Sequence, residues 1–345
     1  MPQMRPQVWP QVWPQVWIAS DESHRTHMSL AVASFLLPES IRTSKNDIAQ
    51  PSSRLINYTA MHESKPSKQD WPDIILAAGK ETTKHIQQIK ARKPNLSERI
   101  LAVALLDPCS NYDSFDLLAL PGYEPRPKTS TPIEPVTGLI NYVTPHILHN
   151  AEQLLYSGHM PHLHDALNHL PRPYTALLVG GRHAGGTITS KQAHRLAATL
   201  NSYIKKVGGS VLVATSKRTE EETAQTLRKM LQVPCFFYDY RQDRHMMNPY
   251  NALLSISDNI VVTGDSVRMC SEACSSNKPV WIYMPEVNFS PYEKLHKQLC
   301  DQGYARMLEE RSNELATFSP PILQEAQRVA ELVLSMWKNK AQKQT

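Results

Sequence analysis

The chain has 345 residues, of which 41% are hydrophobic, 20% charged and 7% aromatic, enough apolar material for more than one core. With 37 Lys and Arg against 32 Asp and Glu, the formal charge of +5 is mild and no dense basic run occurs, which argues against nucleic acid as the partner. Cys109, Cys235, Cys270, Cys274 and Cys300 form an odd set without a CxxC pair, so neither a disulfide framework nor a zinc knuckle is expected, and a reducing compartment is.

In chain order, residues 1–14 repeat Trp-Pro-Gln-Val and are expected to be disordered; Pro2, Pro6, Pro10 and Pro14 deny the stretch the unbroken apolar run of a secretory signal. No segment approaches the roughly 18 to 20 apolar residues needed to cross a bilayer, so a cytoplasmic protein is expected, with peripheral membrane association left open. Short apolar runs then alternate with amphipathic stretches, the pattern of parallel β/α units. Strands are expected at 16–19, 73–78, 100–106 and 116–120, with a helix at 28–37 stopped by Pro38. Residues 122–135 read as loop, and 144–170 as helix and linker.

A second series follows. Strands are expected at 175–179, 210–215, 235–238, 259–263 and 279–284, with helices at 192–206, 220–231, 250–257 and 267–276. The economical architecture is α/β, with two Rossmann-like domains, 15–165 and 171–318. In the remaining 319–345, Ile322, Val329, Val333, Leu334 and Trp337 recur at helical spacing ahead of a basic tail.

The strongest chemical signal is the run 259–273, where an apolar strand stops at Gly264-Asp265-Ser266 and a helix begins at once. Unpaired N–H groups and the positive dipole end at such a start suit a diphosphate. Asp265 or Ser266 would cap that helix, and Glu272, two turns on, could accept hydrogen bonds from a ribose; the plainer reading is two caps and a solvated carboxylate. Four of the seven residues after Val179 are glycine, in a chain with only 12, and they include Gly180 and Gly181 beside Arg182. A glycine turn at a strand's carboxyl end lets backbone approach a ligand closely. A third strand end carries Thr215, Ser216 and Arg218, which would suit phosphate, although a capped helix start explains them nearly as well.

In the first half, the loop 20–27 offers Asp21, His24 and His27 as candidates for a general base, because histidine titrates near neutrality. His146, His149, His159, His162, His164 and His169 crowd the inter-domain segment, but no spacing reproduces a known metal motif, and a solvated helical linker is the default. No metal site is expected.

The stretch from Asn248-Pro249-Tyr250 through 258–273 to Lys278-Pro279-Val280 closely resembles the elongated-mitochondria (mitochondrial fission) family, whose bacterial members are regarded as glycosyltransferases. Residues 73–79, Asp107-Pro108, Gly180-Gly181 and 208–219 support the match. The resemblance implies a GT-B-like fold, two Rossmann-like domains facing across a cleft, with a nucleotide-diphosphate sugar held by the second. It implies Glu272 on the ribose, and Asp265, Ser266, Gly180, Gly181, Ser216 and Arg218 near the diphosphate. It further implies transfer to an acceptor hydroxyl, on a lipid or a saccharide, with no metal and no cofactor beyond the donor substrate. The alternative it carries is a non-catalytic scaffold that recruits protein partners. The chain departs from the family in its first loop, 20–24, which lacks a glycine, and in Asn277, where glycine is usual.

Overall fold

The computed structural model describes residues 16–20, 26–36, 53–57, 72–79, 86–87, 90–91, 98–182, 186–284, 290–309, 315 and 318–342. The repeat at 1–14, Asp21 and His24 lie outside the described residues. The chain divides into two units: one from the described residues of Met1–Leu120, Arg126–Val136 and Glu325–Thr345, the other from Pro121–Pro125 and Thr137–Gln324.

The first unit is built on strands β1 (Val16–Ser20), β2 (Ser53–Asn57), β3 (Ile74–Ala77), β4 (Leu101–Ala104), β5 (Leu117–Pro121) and β6 (Ile133–Val136), ordered β2-β1-β3-β4-β5-β6. From β2 through β5 all neighbours pair in parallel, with Ile74 opposite both Val16 and Leu101. Strands covered on both faces read as continuous apolar runs, as in Ile74-Ile75-Leu76-Ala77, where every residue is buried. Ile75, Ala77, Ala102, Ala104, Leu118 and Leu120 share one core with Ile86 and Phe115.

Helix α1 (Thr26–Leu36) buries Met28, Val32 and Leu36, four residues apart on one face. The chain's last helix, Glu325–Gln342, packs against it through a buried stripe that includes Val329 and Val333. The apolar stripe of this helix is therefore spent on the body of the first unit, whereas Ile322, ahead of the helix, falls in the second. At its far end Lys340 Nζ donates to Asp116 Oδ1 and to the Ile100 carbonyl, at 2.8 and 2.9 Å, and at its near end Arg328 bonds Glu134 and Glu325.

The second unit begins with α2 (Pro145–Leu154), capped by the Thr144 hydroxyl, and α3 (Pro161–Leu167). The unit boundary falls near residue 137 rather than near 165, because Leu148, Ala151, Leu155 and Leu163 of this helical segment join the second core. Its sheet comprises β7 (Tyr174–Val179), β8 (Ser210–Thr215), β9 (Cys235–Tyr238), β10 (Asn259–Thr263), β11 (Val280–Tyr283) and β12 (Arg306–Met307). Their order is β12-β11-β10-β7-β8-β9, all parallel. Counted from β7, this is the dinucleotide-binding order, and its topological switch point lies between β7 and β10.

Alternation along β7 divides its residues between two cores. Leu177 and Val179 meet Leu196, Leu200 and Ile204 of α4 (Ser190–Val207), while Ala176 and Leu178 meet the opposite layer. That layer holds α6 (Tyr250–Ile256) and α7 (Val267–Cys274); α5 (Glu221–Met230), α8 (Ser290–Asp301) and α9 (Glu325–Gln342) complete the described helices longer than one turn. Each fully buried Leu or Val contributes about 1.5–3 kcal/mol of burial.

Candidate functional site

Gly180 follows β7 directly and Gly264-Asp265-Ser266 follows β10, so two separate glycine turns meet at the switch point of the second sheet. They are bonded together. The Gly180 N–H donates to Thr263 Oγ1 at 2.7 Å, and the Thr263 hydroxyl donates to Asp265 Oδ1 at 2.7 Å. The Ile188 N–H donates to Asp265 Oδ2 at 3.3 Å, tying in the residues ahead of α4.

A Cβ on Gly180 would collide with Asp265 Oδ1 and lie 2.9 Å from Ser266 Cβ. Gly181 is packed harder still, since a Cβ there would fall inside the peptide group joining Arg218 to Thr219. Gly180 is required because the Asp265 and Ser266 side chains fill the space beside it, and Gly181 because backbone passes backbone there.

The third strand end is fastened to the same place. The Ser216 hydroxyl donates to the Gly180 carbonyl at 3.0 Å, and the Thr219 hydroxyl donates to the carbonyls of Val179, at 3.1 Å, and of Gly180. Thr219 Oγ1 in turn accepts the Ser216 N–H at 2.8 Å, and the Arg182 N–H donates to the Arg218 carbonyl at 3.1 Å. Thr215 Oγ1 accepts the Tyr240 N–H at 2.9 Å and donates to Asp239 Oδ1 at 3.3 Å, bracing the turn after β9. Thr215 and Ser216 thus spend their hydroxyls on scaffolding, while Arg218 and Arg182 remain exposed at the surface of the turns. Arg182 Nη2 pairs with Glu220 Oε1 at 2.7 Å.

Ser266 is the N-cap of α7, its Oγ accepting the Met269 N–H at 3.4 Å. The other N–H groups of that first turn have no partner within the helix and carry the positive end of its dipole. Asp265, the alternative candidate for that cap, is fully buried and joins the two turns. Burial pushes its carboxyl up to about 6, against the hydrogen bonds from Thr263 and Ile188 and the charge of Arg218, which pull it down.

Glu272 is buried on α7, and its Oε1 accepts from Arg268 Nε at 2.7 Å. Tyr142 and Tyr250 stand near it: burial first, and then the Glu272 charge, raise both phenols. A ribose at Glu272 would therefore have to share the carboxylate with Arg268.

Four contributors were not singled out as site residues in the sequence: Thr219, Thr263, Tyr292 and His296. His296 Nε2 donates to the Gly264 carbonyl at 2.9 Å, and a Cβ on Gly264 would lie 2.6 Å from its Cε1. Burial lowers the His296 imidazole, favouring its neutral form. Tyr292, on α8, is pushed up to about 12 by burial, opposed by Arg218. The only advance signal was that a hydroxyl residue ends β10 and another follows Arg218.

In the first unit, His27 lies in the opening turn of α1, and its side chain is outside the described residues. Asp107 Oδ1 accepts the Cys109 N–H at 2.7 Å and the Tyr112 hydroxyl at 3.1 Å, shaping the turn after β4. Among the described residues no group of three or more His, Cys, Asp or Glu is placed to hold a metal ion, and no helix is long and apolar enough to cross a membrane.

Two parallel sheets flanked by helices, the second in dinucleotide-binding order, define a GT-B-like fold of two Rossmann-like domains. A solved structure of this architecture, the UDP-GlcNAc 2-epimerase from Methanocaldococcus jannaschii, is similar with a TM-score of 0.52 at 9% identity, over 93% of this chain and 99% of that one. The sequence matches the mitochondrial fission ELM1 family over residues 5–337, and the chain belongs to that family. An uncharacterised protein of Rickettsia prowazekii (strain Madrid E) is 26% identical over 354 residues, 92% of this chain and 96% of that protein. The mitochondrial fission protein ELM1 of Arabidopsis thaliana is 25% identical over 252 residues, 69% of this chain and 58% of that protein.

Proposed function

We propose that the second unit binds a nucleotide-diphosphate sugar and that the protein transfers the sugar to an acceptor hydroxyl, on a lipid or a saccharide, without a metal. The observation that carries this reading is the pair of glycine turns flanking the β7/β10 switch point, with the N-terminus of α7 opening from one of them. The unpaired N–H groups of α7 and the Arg218 guanidinium stabilise the departing diphosphate. Gly180 and Gly181 let the turns pack on Asp265 and on the Arg218–Thr219 peptide and so set the backbone beside which the phosphates lie, and Glu272 accepts the ribose hydroxyls. Asp21, His24 or His27 deprotonates the acceptor. We assign the protein to the cytoplasm.

A second reading, a non-catalytic scaffold of the same fold that recruits protein partners, is favoured by one feature: the Glu272 carboxylate is shut from solvent and already paired with Arg268. Calorimetry with UDP, GDP and their sugars separates the two. The transferase reading expects binding that weakens at least about tenfold in Glu272→Ala, and turnover that is lost in one of Asp21→Ala, His24→Ala or His27→Ala. Absence of binding by every nucleotide rejects it, and binding without turnover leaves the scaffold.

A further inference from the structure

Asp265 sits where a carboxylate is least expected, behind the turns that the proposed reading gives to a diphosphate. It has no exposure to solvent, and its hydrogen-bond partners are neutral: the Thr263 hydroxyl on Oδ1 and the Ile188 N–H on Oδ2. Burial of a charge with neutral partners is costly, and an anion arriving at the adjacent helix terminus adds repulsion. The groups around it offer limited compensation. Arg218, after β8, is the cation whose field reaches it; Tyr292 on α8 and Cys270 on α7 are held neutral by burial, and burial shifts His296 on α8, against the neighbouring Gly264, toward its neutral form.

We propose that Asp265 takes up a proton when the diphosphate of a nucleotide sugar occupies the turns beside it, so that the site binds its anionic ligand together with one proton. The inference rests on the nucleotide-binding reading above. The local chemistry accommodates either charge state. Thr263 Oγ1 already accepts the Gly180 N–H and, having a second lone pair, can accept from a protonated Asp265 Oδ1 once its own hydrogen rotates away. The 2.7 Å contact between the two side chains then survives with its direction reversed, and the two turns stay fastened while the negative charge behind them disappears.

The sign follows from linkage. Burial has already raised the free carboxyl to about 6, and a bound anion raises it further. Between the free and the bound values the complex holds more protons than the free protein, so affinity falls as pH rises through that interval. The diphosphate of a nucleotide sugar stays fully ionised throughout, so the proton is not taken up by the ligand.

The experiment is calorimetric titration of the full-length protein with UDP-N-acetylglucosamine and with GDP-mannose, in buffers of differing ionisation heat, from about pH 5.5 to about pH 8. Net proton uptake is expected in the wild type, with affinity falling roughly tenfold across the range, and neither effect in Asp265→Asn. Equal uptake in Asp265→Asn, or none in the wild type, overturns the proposal while leaving the site intact. Absence of binding by either probe overturns the site itself. Should Asp265→Asn fail to fold, carboxyl-carbon NMR of the wild type decides: the Asp265 midpoint must rise on adding the probe, and an unchanged midpoint overturns the linkage.

Discussion

The two sheets share a device at one end and differ at the other. At the amino end of the first, Asp116 precedes β5 and exchanges a reciprocal pair of bonds with Ala102 of β4, the two N–H to O distances both being 2.8 Å. At the amino end of the second, Asp258 precedes β10 and does the same with Tyr174 of β7, at 2.8 and 2.7 Å. In each a carboxylate fixes the register of a strand pair, consecutive in the first sheet and non-consecutive in the second, and collects a cation, Lys340 in one and Arg172 in the other.

The carboxyl ends diverge. In the second sheet the turns after β7, β8 and β10 are laced to one another by Ser216, Thr219, Thr263 and Asp265 around glycines that tolerate no side chain. In the first, the described turn after β4 is held by Asp107 through bonds to its own loop. Bonding at the amino ends preserves the sheet, whereas lacing between turns at the carboxyl ends fixes backbone where a ligand would lie. The same residue type, aspartate, serves stability at 116 and 258 and site geometry at 265.

The largest expected effect breaks this contrast at its tightest point. In Gly181→Ala the new methyl would occupy the Arg218 peptide group, which is backbone and cannot rotate aside. A loss of about 3 kcal/mol or more from the second unit is expected, with nucleotide affinity lost as well. Thermal unfolding and calorimetry on one preparation check it; a midpoint within a degree of wild type would mean the turns are not laced as described.

Next come Asp116→Ala and Asp258→Ala. Each strands a buried backbone N–H and should cost about 1–3 kcal/mol, in the first unit and the second respectively. Neither should change nucleotide affinity beyond about twofold under folded conditions. A large affinity change in Asp258→Ala would merge the two ends that the comparison separates.

How much of this was legible in the sequence depends on the range of the interaction. The repeating apolar runs gave β3, β4, β5 and the strands from β7 to β11, because a strand buried on both faces must be apolar throughout. The strands β2, β6 and β12, reading Ser-Arg-Leu-Ile-Asn, Ile-Glu-Pro-Val and Arg-Met, carry no such run; all three lie at sheet edges, and in β6 and β12 partial exposure admits polar residues. The helix α9 was visible from its period, but its docking on α1 was not, since periodicity says that a face is covered and not by what. At the site, scarce glycines marked the turns, yet Thr219 acts on Gly180 across 39 residues and His296 on Gly264 across 32. A hydroxyl or imidazole used over that distance looks, in sequence, like any other.

The smallest expected effect separates the two arginines exposed at these turns. Arg182 is bound to the turn by its backbone N–H, which any residue supplies, while its side chain is 78% exposed and engages Glu220 through both Nε and Nη2. A surface pair of this kind is worth about 0–1 kcal/mol and is screened by salt. Arg182→Ala should therefore leave the unfolding midpoint nearly unchanged and shift nucleotide affinity by less than about threefold, with even that difference fading at high salt. Arg218 has a different position, because its charge reaches Asp265 and Tyr292 and so acts on the groups behind both glycine turns. Arg218→Ala should weaken a nucleotide sugar roughly tenfold and, by removing the cation that favours the Asp265 carboxylate, raise that carboxyl further. Titrating both variants at two salt concentrations puts the distinction to the test, and equal losses from the two would show that the cation's place in the lacing is immaterial.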